Sequence, residues 1–165
     1  MKKYIIYHNK YDQTTEKIIL DQQNQFVYRL NIINKLNQLQ LDLINPNNAI
    51  VASVKQLDKH IFCYSSNDYP PTKFKLTKYF TQLKPLNLKF RKLFFKDQLN
   101  TYCNNRKIAY SQFNQALNSN PHDQILIKSI NSEIEIVILI SELYNLTLTS
   151  KENQKEKDIV AALAN

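Results

Sequence analysis

Not one of the 165 residues is glycine, and that absence limits both the turns and the chemistry open to this chain. Glycine alone reaches positive φ without strain, so every left-handed turn must fall to another residue, with Asn and Asp the least costly substitutes. The same absence removes the Gly-rich cradles of the P-loop and of the dinucleotide fingerprint. Nucleotide-dependent chemistry built on either cradle is excluded. Tryptophan is also missing, while Asn, Gln, Lys and Ile abound, as A+T-rich codon usage would produce.

Length sets the expectation of one domain, residues 1–165. With 43% hydrophobic and 22% charged residues the chain can form an ordinary core. Cys63 and Cys103 form no CxxC pair and read as free thiols in a reducing, intracellular compartment. The apolar run near the start, Tyr4–Tyr7, is too short for a signal peptide, and Ile136–Ile140 lies between Glu135 and Glu142 and is too short to span a bilayer. No membrane association is expected.

Charge is unevenly placed. Ten basic residues lie between Lys73 and Lys107, opposed only by Asp97, so this segment carries +9 while the other 12 basic and 13 acidic residues sum to −1. The segment also holds Phe74, Tyr79, Phe80, Phe90, Phe94, Phe95 and Tyr102. Cations neutralise phosphates and exposed rings stack unpaired bases, so the mixture suits single-stranded nucleic acid. The candidate contacts are Lys73, Lys75, Lys78, Tyr79, Lys84, Lys89, Arg91 and Lys92. Two other readings stand beside it: a solvated basic helix with its rings in the core, and a patch for an acidic protein.

The hydrophobic pattern predicts short strands at 4–7 and 18–20, then alternating strands at 26–33 and 39–43. Asn45-Pro46-Asn47-Asn48 marks a turn before strands at 50–54 and 60–64. Beyond Pro70-Pro71, the spacing Leu76/Tyr79/Phe80/Leu83 predicts a helix over 73–84, with Thr72 as its cap. Residues 86–95 fit strand or helix; the balance of spacing favours helix over 88–103, with another over 107–117. Strands are expected at 124–130 and 133–144, the second apolar on both faces and therefore central. Thr149-Ser-Lys-Glu152 resembles a capping box opening a terminal helix over 151–164.

Catalytic patterns are lacking. His8, His60 and His122 show no metal-ligand spacing with either cysteine, Glu133 and Glu135 share a strand face without further support, and no GxSxG or HExxH occurs. A Cys–His pair assembled in space is the one route to catalysis that order in the chain leaves open. No enzyme activity, metal or cofactor is expected.

The element order, with strands at 26–34, 38–45 and 49–64, a helical insertion at 72–118, strands at 124–130 and 133–144, and a terminal helix, resembles an α+β OB-fold: a five-stranded antiparallel barrel with a helical insertion between strands 3 and 4 and a C-terminal helix. Residues 1–25 would be an N-terminal extension, 26–144 the barrel and 150–165 the helix. With its ciliate-like composition the chain is similar to the small subunits of trimeric single-strand-binding complexes, namely replication protein A and the Ctc–Stn–Ten complex of telomeres and the telomerase holoenzyme. The resemblance implies a non-catalytic, nuclear subunit whose C-terminal helix binds a larger, Stn-like OB-fold subunit through Ile159, Val160 and Leu163. A short terminal helix must bury its apolar side somewhere, and its own barrel is the other place. Direct binding of single-stranded DNA or RNA through 73–107, including ribosomal RNA, is the alternative function.

Overall fold

The computed structural model describes residues 1–9, 16–36, 38–93, 98–113, 122–129 and 133–147, with the backbone alone for 8, 9 and 122–124. Its strands are β1 (Lys2–Asn9), β2 (Glu16–Asp21), β3 (Phe26–Lys35), β4 (Gln38–Ile44), β5 (Ile50–Asp58), β6 (Ile61–Ser66), β7 (Thr72–Lys75), β8 (Phe80–Leu83), β9 (Leu88–Lys92), β10 (Gln98–Cys103), β11 (Arg106–Gln112) and β12 (His122–Ser129). All pair antiparallel in one sheet of order β7-β6-β5-β4-β3-β2-β1-β12-β11-β10-β9-β8. The sheet curls until its end strands β7 and β8 lie side by side, which nearly closes a barrel. A bond from the Lys92 amide to the Tyr79 carbonyl (2.9 Å) ties β9 to the β7–β8 turn at this seam.

Among the described residues one α-helix, α1 (134–147), runs through the middle. Val137, Ile138, Leu139, Ile140 and Leu143 are fully buried, facing the inward side chains of both halves of the sheet. A helix apolar all round must be enclosed on every side, and the barrel encloses it. Its few polar groups are paired. Glu142 meets the Lys17 ammonium from β2, Ser141 Oγ lies 2.5 Å from Ser111 Oγ, and the Tyr144 hydroxyl lies 2.8 Å from Thr81 Oγ1. Burial pushes the Tyr144 hydroxyl up to about 12 and that of Tyr64 to about 12 as well.

This architecture overturns the OB-fold expectation. The described residues form twelve strands where five were expected. The expected insertion at 72–118 is no helical unit, because β7, β8, β9, β10 and β11 lie within it. Of the four residues at helical spacing, Leu76 at the end of β7 and Leu83 on β8 face inward, whereas Tyr79 lies half-buried in the turn between the strands and Phe80 is exposed on β8. On β9, Leu88 and Phe90 point inward while Lys89 and Arg91 point outward, the strand alternative for 86–95. The fifth strand expected at 133–144 is α1 instead. Its apolar run is continuous, and such a run fits a buried helix as well as a central strand.

Residues 2–9 and 16–21 are β1 and β2, at the middle of the sheet, where β1 joins the two halves by pairing with β12. The strands expected at 4–7, 18–20, 26–33, 39–43, 50–54, 60–64 and 124–130 are observed as β1 to β6 and β12. The helix expected at 151–164, with Ile159, Val160 and Leu163, lies outside the described residues. Of six residues at positive φ, five are asparagines: Asn24, Asn48, Asn87, Asn104 and Asn105; the sixth is Leu36. Among the described residues no helix is long and apolar enough to cross a membrane.

Candidate nucleic-acid interface

Side chains alternate across a strand, so register decides which charges become neighbours on the outer wall. Lys3 pairs with Lys128, Lys128 with Tyr110, Tyr110 with Asn100, Asn100 with Arg91, and Arg91 with Phe80. This row crosses six strands, from β1 through β12, β11, β10 and β9 to β8. At the usual strand separation it is about 24 Å long. A second row runs beside it, with Lys107 opposite Tyr102, Tyr102 opposite Lys89, and Lys89 opposite Gln82. No acidic side chain stands in either row.

Both rows mix cations with rings: the second alternates Lys107, Tyr102 and Lys89, while the first sets Tyr110 beside Lys128 and Phe80 beside Arg91, with Asn100 between. The Lys107 ammonium lies 5.1 Å and that of Lys128 5.7 Å from the centre of the Tyr110 ring, distances at which a cation is attracted to a ring face. Phe80 is 44% exposed beside Arg91. Tyr102 is half-buried between Lys107 and Lys89, and the Lys89 ammonium donates to Asn105 Oδ1 at 2.8 Å. Asn100 is buried although it faces outward, and accepts from Gln98 Nε2 at 2.7 Å.

The eight residues singled out by sequence divide among five places. Lys89 and Arg91 stand on the wall just described. Lys73 and Lys75 are exposed on β7, across the seam, and Lys84 is exposed on the single 3₁₀ turn Lys84–Leu86. Lys78 and Tyr79 occupy the β7–β8 turn, with the Lys78 ammonium 5.0 Å from the Tyr79 ring centre, and Lys92 ends β9 half-buried. Lys3, Lys128 and Tyr110 were missed. Lys3 and Lys128 lie far from the basic run in sequence, and only the β1–β12–β11 pairing brings them to it. The alternation of Tyr110 and Gln112 with buried Ala109, Ser111 and Phe113 marks Arg106–Gln112 as strand.

Carboxylates gather at one mouth of the barrel, where α1 begins. Glu133 accepts from the Tyr69 hydroxyl at 3.0 Å and Glu135 from the Tyr28 hydroxyl at 2.6 Å. Burial first, and the bond to Glu135 next, raise the Tyr28 hydroxyl well above its ordinary range; at Tyr69 the bond to Glu133 is the main cause of the rise. Acidic groups at a helix N-terminus complement its dipole, which gives these glutamates a structural role. Cys63 and Cys103 are free and half-buried, and among the described residues no three His, Cys, Asp or Glu side chains are grouped to hold a metal.

No family model matches the chain, and no curated protein does. In fold it is similar to the X-ray structure of a protein from Arabidopsis thaliana, AT5G01750, with a TM-score of 0.57 over 88% of this chain and 91% of that one, at 9% identity. Identity this low carries the architecture alone.

Proposed function

We propose that this protein is a binding module for single-stranded nucleic acid, working through the outer wall of β8 to β12 and β1. The observation that carries the reading is the double row itself: Lys3, Lys128, Lys107, Lys89 and Arg91 interleaved with Tyr110, Tyr102 and Phe80. Cations at strand spacing follow a phosphate backbone, while rings between them offer stacking surfaces to unpaired bases. A duplex, whose bases are already stacked, would meet the cations but not the rings. The subunit role in a telomeric or replication complex rested on an OB-fold element order that the barrel replaces, and no contact in the structure favours it over direct binding.

The test is a titration of labelled single-stranded DNA and RNA oligonucleotides, beside duplexes and anionic lipid vesicles, with Tyr102→Ala and Phe80→Ala as variants. Single strands should bind more tightly than duplexes, and Tyr102→Ala should weaken them by about 1–3 kcal/mol. Binding no tighter than about millimolar at low salt would sink the reading, since even non-specific protein–DNA affinities reach roughly 10⁻⁴ M. Vesicle binding that exceeds oligonucleotide binding and ignores Tyr102→Ala would assign the wall to an anionic membrane surface instead.

A further inference from the structure

The other mouth of the barrel, where the described part of α1 ends, holds a cleft of about 460 Å³, within the range of sites for small organic ligands. Its floor is apolar: Leu39 from β4, Phe62 from β6, Leu76 beyond β7 and Tyr144 from α1. Phe62, Leu76 and Tyr144 are buried, and Phe62 stacks on Phe74 with centroids 5.8 Å apart, so the floor is preformed. The Tyr144 hydroxyl is already engaged by Thr81, and the Thr147 hydroxyl donates to the Leu143 carbonyl at 3.0 Å. Gln56 accepts from the Leu39 amide through Oε1.

The rim is different in kind. Lys59, His60, Lys75 and Lys78 line it, and no carboxylate does. The nearest acid in sequence, Asp58, accepts from the Lys59 amide at 2.7 Å and lines an adjoining cleft that shares Gln56 and Lys59 with this one. Among the described residues the Lys59 and Lys75 ammoniums have no ion-pair partner. An apolar floor beneath a cationic rim favours a ligand with an apolar body and one anionic end, since either half alone forgoes half of the site.

We propose that this mouth binds an amphiphilic carboxylate, a medium-chain fatty acid, with its chain against Leu39, Phe62, Leu76 and Tyr144 and its head group held by Lys59, Lys75 and Lys78. The site is separate from the outer wall and does not depend on nucleic-acid binding. Calorimetric titration of the full chain with decanoate, decanol and acetate tests it. Decanoate should bind saturably at one site, decanol about tenfold more weakly or less well still, and acetate not at all. The Lys59→Gln/Lys75→Gln double variant, altered only at exposed side chains, should weaken decanoate about tenfold and leave decanol unchanged. Decanol binding equal to decanoate, acetate binding equal to decanoate, no saturable decanoate binding, or a double variant that behaves as wild type would each overturn the proposal.

Discussion

Leu36 turns the chain at φ 51 with its side chain 99% exposed, and this is the least suitable residue at any of the left-handed positions. A branched side chain there costs roughly 1–2 kcal/mol in steric strain, whereas Asn relieves part of that by local hydrogen bonding and glycine avoids it. The asparagines show how the chain manages without glycine. In the turn from β4 to β5, Asn45 Oδ1 accepts from the amides of Asn47 and Ala49 at 3.0 Å, and Asn48 takes the positive φ. Asn24, Asn87, Asn104 and Asn105 serve other turns in the same way. Leu36→Gly should therefore raise stability, by about 1 kcal/mol, although glycine normally costs entropy in the unfolded chain. Urea unfolding with an unchanged slope and a higher midpoint is the expected result; a lower midpoint would mean that Leu36 makes a compensating contact.

Among the elements, α1 and the strands around it depend on each other more than local sequence shows. The strands β3 to β6 were legible because apolar residues alternate with polar ones between clear turn signals, as at Leu39, Leu41 and Leu43. The two four-residue strands β7 and β8 were not, because Tyr79 and Phe80 fall between the inward residues Leu76 and Leu83 and complete a helical spacing, although Tyr79 lies in the turn and Phe80 points outward. The run Ile134 to Leu143 has β-branched residues at half of its positions and apolar groups on every side, which a central strand also shows. What decides for helix is the nearly closed wall of strands around it, most of them distant in sequence, and no window of sequence contains it. One polar tie between α1 and that wall is the buried ion pair of Glu142 and Lys17, whose side chains are 0% and 11% exposed. Lys17→Ala removes this cation from the buried carboxylate and should cost about 3–5 kcal/mol, while Lys17→Ala combined with Glu142→Gln should cost clearly less than the sum of the single changes. Equilibrium denaturation of the two single variants and the double variant checks this; strict additivity would show that the pair does not act as a unit.

Over the whole molecule, the basic run from Lys73 to Lys107 becomes most of one side of a barrel. Its +9 was visible in sequence, but its arrangement was not. Lys89 and Arg91 gain Lys128 and Lys3 as row partners only because β12 pairs with β11 on one edge and β1 on the other. Lys75 and Lys78 turn away to the rim of the mouth, leaving the wall to a smaller set of cations. If phosphates follow this wall, the affinity for a single strand must fall linearly with salt on logarithmic axes, each phosphate contact contributing about 0.7 to the slope. Lys107→Gln, which removes one wall cation beside Tyr110, should reduce that slope by about 0.7 and weaken all sequences alike, since phosphates carry no sequence information. Lys35→Gln, at the exposed end of β3 on a distant part of the sheet, should leave the slope as it was. Tyr102→Ala should lower affinity without changing the slope, because stacking releases no counterions. Titrations of one oligonucleotide at four or five salt concentrations with these three variants separate the possibilities. Equal losses of slope for Lys107→Gln and Lys35→Gln would mean that net charge, and not this wall, holds the strand.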